Sequence, residues 1–82
     1  MGMYANVCGT EIKVNRNLDA AVREVRNVAD DDYISHDGTL VLDRTEVEAV
    51  AQYLYNKRCW DDHLALLKRW LVESGEDVLF FA

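Results

Sequence analysis

Two cysteines, Cys8 and Cys59, and two histidines, His36 and His63, are the side chains here best suited to soft-metal or nucleophilic chemistry. Cys59 and His63 stand four apart, which on one continuous helix would place both on one face. Asp61, however, reads as the start of a new helix between them, and Cys8 and His36 belong to two other segments. A structural zinc site usually shows paired ligands in two short clusters, so no metal is expected. The aspartates around Gly38 raise calcium as a second possibility. With Gly38 at the sixth position of an EF-hand loop, Tyr33 falls at the first and Arg44 at the twelfth. The ion needs a carboxylate and a bidentate glutamate there, so the motif fails. Asp30-Asp31-Asp32 reads more simply as a solvated acidic loop than as a looser cation site. Nucleophilic catalysis would need a base beside Cys8 and an oxyanion site, and the isolated glycines make no phosphate-binding loop. A chain this short rarely builds both a core and an enclosed pocket. No catalytic residue and no cofactor are assigned, and the expected class is not an enzyme.

Charge is the more informative signal. The 82 residues carry 15 acids against 9 bases, a formal net charge of −6. Residues 30–48 hold Asp30, Asp31, Asp32, Asp37, Asp43, Glu46 and Glu48 with only Arg44 in opposition, so all of that net charge lies in this stretch. Direct nucleic-acid binding is disfavoured, because phosphate recognition needs a cationic surface. Local rules account for each acid separately. Asp30–Asp32 stop a helix, Asp37 belongs to a turn, and Asp43, Glu46 and Glu48 charge the start of the next helix, as the helix dipole favours. No local rule explains the scarcity of bases among them.

Eight short elements must position these residues in a single domain spanning 1–82. There is no proline and no repeat, and the four glycines punctuate the pattern. Met3–Val7 and Glu11–Val14 read as strands joined at Cys8-Gly9-Thr10. Leu18, Ala21, Val22, Val25 and Val28 mark one face of a helix that Asn17 is expected to cap and the aspartate run to end. Asp37-Gly38 reads as a type I′ turn joining Tyr33–His36 to Thr39–Leu42, with Ile34 opposite Val41 and the Leu40/Leu42 face turned to the core. Asp43 or Thr45 caps the next helix, each with a glutamate three residues on, and Val47, Val50, Ala51 and Leu54 form its buried face. Asp61 caps a third helix that Gly75 stops, with Leu64, Leu67, Trp70 and Leu71 inward. Val78–Phe81 reads as a strand buried on both faces or paired at an edge, with Phe80 and Phe81 closing the core. The expected class is therefore α+β, in the order β-β-α-β-β-α-α-β, with an antiparallel sheet packed against helices.

The start of the chain has no basic segment and no apolar run of signal-peptide length. No stretch approaches the roughly 20 apolar residues that cross a bilayer. A cytoplasmic setting with reduced thiols and no membrane partner is expected. The expected function is a small interaction module whose Asp30, Asp31, Asp32, Tyr33, Asp37, Asp43, Glu46 and Glu48 meet a basic surface on a partner protein, with Tyr33 or Tyr55 as aromatic anchor. In its strong form the module is an inhibitor that fills a nucleic-acid-binding site, its carboxylates standing where phosphates would. In size, acidity and lack of catalytic residues the chain resembles the small proteins that bacteriophages use against host defences, anti-CRISPR and anti-restriction inhibitors included. That likeness is one of composition along the whole chain and involves no shared motif. The alternative is a homodimeric structural or adaptor protein that pairs through its C-terminal strand.

Overall fold

The computed structural model describes residues 2–28, 34 and 37–82. In chain order it contains β1 (Tyr4–Val7), β2 (Thr10–Lys13), α1 (Arg16–Arg26), β3 (Leu40–Asp43), α2 (Arg44–Asn56), α3 (Asp62–Glu73) and β4 (Val78–Phe81). This is the α+β architecture that the sequence pattern predicts. β1 and β2 pair antiparallel from Tyr4↔Lys13 to Val7↔Thr10, which leaves Cys8-Gly9 as a two-residue loop. Both loop residues have positive φ, 51° at Cys8 and 84° at Gly9. That combination defines the type I′ turn, whose twist matches the strands it joins. The Asn6 side-chain oxygen accepts from the Gly9 amide at 3.1 Å and braces the turn.

β3 and β4 form a second antiparallel ribbon, from Leu40↔Phe81 to Asp43↔Val78. The two ribbons adjoin along β1 and β4, and the Tyr4–Ala82 pair bonds them. Tyr4 donates to the Ala82 carbonyl at 2.8 Å and Ala82 donates back to Tyr4 at 2.9 Å, giving the spatial order β2-β1-β4-β3. Alternate strand residues turn inward, as period-two geometry requires. Ala5, Val7 and Ile12 from the first ribbon and Leu40, Leu42, Leu79 and Phe81 from the second join one core with the apolar faces of all three helices. Trp70 lies at 1% exposure in that core.

Side chains set most helix ends. Asn15, not Asn17, caps α1: its oxygen accepts from the Leu18 amide at 2.8 Å, and helical geometry has begun by Arg16. The helix ends at Asn27, before the aspartate run. Asn27 is left-handed (φ 54°), and its amide and that of Val28 bond Glu24 and Arg23 in a Schellman closure. The same closure ends α2, with Arg58 left-handed and the Cys59 and Arg58 amides bonded to Leu54 and Tyr55. Asp43 caps α2 in a full capping box with Glu46, and Asp61 caps α3.

The expected second hairpin falls mostly outside the described residues. Gly38 has positive φ (80°), while the φ of Asp37 depends on His36, which is not among the described residues. The Asp37 carboxylate accepts from the Thr39 amide at 3.2 Å and the Thr39 hydroxyl at 2.7 Å, an Asx-type bend. Tyr33, Ser35 and His36 of the predicted strand lie outside the described residues, and Ile34 sits in a bend. β4 is the strand that pairs with β3. It buries Leu79 and Phe81 but exposes Val78 and Phe80, so it is buried on one face, and Phe80 does not close the core.

Candidate interaction surface

The acidic stretch divides on inspection. Asp30, Asp31, Asp32 and Tyr33 lie outside the described residues. Asp37 is exposed and engaged with Thr39. Asp43 and Glu46 share the start of α2, where Asp43 accepts from the Glu46 amide at 2.8 Å and Glu46 accepts from the Asp43 amide at 3.2 Å. Glu48 is exposed one position past the first turn. The cation that seemed missing comes from outside the stretch. Arg26, the last residue of α1, reaches Glu46 with Nε at 2.8 Å and Nη2 at 3.2 Å, a forked pair with both side chains about a quarter exposed. Arg44, the one base inside the stretch, turns away to the carbonyls of Leu71 and Glu76 and stacks 5.1 Å from the Trp70 ring. Of the described acids, Asp43 and Glu46 are therefore engaged in a cap and an ion pair as well as facing solvent.

The helices leave the opposite face of the strands bare, and that face is unexpectedly apolar. Val41 and Phe80 sit directly across from one another, 42% and 51% exposed, and Val78 (44%) and Tyr4 (43%) share their side of the sheet. A bare antiparallel face normally alternates to polar residues. Here Asp43 at the end of β3 and Glu76 and Asp77 before β4 supply a carboxylate rim. No ion pair among the described residues involves Glu76 or Asp77. Sequence reasoning could not place Val78 and Phe80, because a run of four apolar residues hides its own alternation.

A second exposed cluster lies at the α2–α3 corner. Trp60 is 64% exposed; its indole N–H donates to the Tyr55 carbonyl at 3.2 Å, and the two rings lie 5.9 Å apart. Lys68 sits 4.7 Å above the Tyr55 ring. Tyr55 was a predicted anchor, whereas Trp60 was missed. Its signal was available: a large apolar residue immediately before an N-cap aspartate belongs to no helix face.

The thiols are free, and His63 is held by a backbone contact. Cys59 lies in the α2–α3 connection and both cysteines are free. His63, within the first turn of α3, places Nε2 at 2.6 Å from the Lys13 carbonyl on the outer side of β2. Among the described residues no three His, Cys, Asp or Glu side chains gather as a metal site, and no helix is long and apolar enough to cross a membrane. No family model, curated protein or solved structure matches the chain, so the role of these surfaces has to be argued from their own residues.

Proposed function

We propose that this chain is a non-catalytic protein-interaction module that binds a partner through the helix-free face of β3 and β4. Val41, Val78 and Phe80 form the apolar centre of the contact, and Asp43, Glu76 and Asp77 form an anionic rim that selects a basic surface. In the strongest form of this reading the partner binds nucleic acid and the module obstructs its phosphate-binding site. Two free thiols suit a reducing, cytoplasmic setting. The observation that carries the reading is the exposed Val41–Phe80 cross-strand pair on the face that none of the described helices covers. Contiguous apolar surface of this kind, bordered by charge, marks contact sites.

The test is capture from native-host lysate at low and high salt with wild-type protein, Phe80→Thr, and Glu76→Gln/Asp77→Asn. Threonine keeps strand propensity while removing the ring. The expected result is a partner retained at low salt, released at high salt, and lost on Phe80→Thr. Capture that ignores both the ring and the rim overturns the proposal. The same apolar strip also suits a second copy of the chain. Light scattering over a dilution series separates that reading, since it requires a dimer that Phe80→Thr dissociates.

A further inference from the structure

Alternate residues of a strand aim their backbone N–H and C=O groups at opposite neighbours, so one bond fixes the direction of a whole strand. Val14 donates to the Met3 carbonyl at 3.0 Å, which directs Met3, Ala5 and Val7 toward β2 and Tyr4 and Asn6 away from it. Tyr4 accordingly exchanges both of its bonds with Ala82. By the same alternation Phe80 and Val78 of β4 face β1. The next rung would join Asn6 to Phe80, yet among the described residues β1 and β4 are not paired as neighbouring strands. Beyond the Tyr4–Ala82 pair the strands part around a cleft of about 710 Å³. Ala5 and Leu79 line it as buried residues, and the backbone groups of Asn6, Val78 and Phe80 are directed into it.

The outer edges of the sheet are treated differently. On β3, Arg26 donates to the Val41 carbonyl at 2.6 Å and Glu46 takes the Asp43 amide. On β2, His63 engages the Lys13 carbonyl. Helix side chains thus occupy both outer edges, which hinders strand addition there. Among the described residues no side chain plugs the cleft in this way. One wall, Gly75-Glu76-Asp77, is held open by Arg44, which donates to the Glu76 carbonyl at 2.8 Å, and by the Ser74 hydroxyl, which accepts from the Glu76 amide at 3.2 Å. The carboxylates of Glu76 and Asp77 stand at its mouth, exposed and in no ion pair among the described residues.

We infer that the β1–β4 cleft accepts a short extended segment of a partner protein, bonded to the backbone of Asn6, Val78 and Phe80 and carrying a lysine or arginine opposite Glu76 and Asp77. Strand addition supplies affinity through main-chain bonds, and the two carboxylates set the charge of the guest. The inference rests on the interaction-module reading and deepens it, because the cleft adjoins the apolar face at Phe80.

The experiment uses full-length ¹⁵N-labelled protein and a blocked hexapeptide of alternating lysine and valine as probe. In the free protein the Asn6, Val78 and Phe80 amides exchange with solvent faster than their neighbours in the two ribbons. Saturating peptide slows them at least about tenfold, equivalent to about 1.4 kcal/mol per amide opening. An analogue N-methylated at alternate residues loses this protection, a glutamate–valine analogue does not bind, and Glu76→Gln/Asp77→Asn weakens binding several-fold. The inference is overturned if the three amides are already protected in the free protein, or if no peptide protects them. Peptide-induced shifts confined to the Val41 and Phe80 side chains would also overturn strand addition while leaving the face reading intact. Loss of the face reading is registered separately, by partner capture that Phe80→Thr does not change.

Discussion

Arg26→Met isolates the contact that brings α1, β3 and α2 together. The guanidinium makes a forked pair with Glu46 and donates to the Val41 carbonyl, all from the C-terminal residue of α1. The pair is partly exposed, so its charge-assisted bonds contribute about 1 kcal/mol rather than the larger value of a dry site. The bond to Val41 adds about 0.5–1 kcal/mol, since water can replace it on an exposed edge. A cation at the negative end of the helix dipole adds about 0.3–1 kcal/mol. Methionine preserves the apolar stem, so the predicted loss is about 2–3 kcal/mol, or a fall in Tm on the order of 10–20 °C for a chain of this size.

Urea unfolding of wild type, Arg26→Met, Arg26→Lys, Glu46→Gln and the Arg26→Met/Glu46→Gln double variant measures this. Lysine can satisfy Glu46 or Val41 but not both, so it recovers about half of the loss. Glutamine keeps the oxygen that serves the Asp43 amide while losing the charge, so the cycle reports the ion pair and spares the cap. Raising salt from 0.1 to 1 M shortens the screening length from about 10 to 3 Å and narrows the gap between wild type and Arg26→Met by the ionic share only. A loss below about 0.5 kcal/mol, or a coupling energy below about 0.3 kcal/mol, would refute the assignment of Arg26 as the clasp of the β3 edge.

Three further outcomes follow from single residues. Arg58→Gly relieves a left-handed side chain at the Schellman position of α2 (φ 59°) and raises stability by about 0.5–1 kcal/mol, measured as a higher urea midpoint at unchanged slope. Asp61→Ala removes the oxygen that accepts from the Leu64 amide at 3.1 Å and costs about 1 kcal/mol, whereas Asp61→Asn costs a few tenths at most. Trp70 buries an indole N–H with no partner among the described residues. Trp70→Phe therefore trades a cavity of about 1–2 kcal/mol against relief of an uncompensated donor of similar size, and calorimetry places it within about 1 kcal/mol of wild type.

The helices were legible because each announces itself locally. Apolar spacing marked every buried face, and Asp43 and Asp61 sit where a cap must. The α1 boundaries slipped by two or three residues for reasons of the same kind. Asn15 and Asn17 are equally good caps on paper, and a left-handed Asn27 satisfies two amides before any charge repulsion at 30–32 matters. The strands were harder. The I′ conformation at Cys8-Gly9 was hidden because cysteine is a poor choice for positive φ. At Asp37-Gly38 the Asp37 side chain bonds the Thr39 amide, a contact that the sequence does not announce. The β3 partner then comes from the far end of the chain, a long-range choice that depends on Phe81 and Leu79 filling the core and that no local pattern encodes.

The charge count has one blind spot. Counting acids against bases within a window assumes that sequence neighbours neutralise one another, but Arg26 reaches Glu46 across 20 positions. What the folded chain leaves to be explained is an apolar face. Incomplete coverage is the ordinary lot of a small domain, and by itself an exposed Val41 or Phe80 would signify little. The treatment of the edges changes that judgement. Side chains from three different helices, Arg26, Glu46 and His63, engage backbone groups on the outer edges of β3 and β2. Among the described residues, a sheet whose two margins are engaged by side chains while its face and inner cleft stay open has exposure that is selective in position. Selective exposure is what recognition requires: the closed margins exclude other strands, and the open face with its carboxylate rim decides which partner binds.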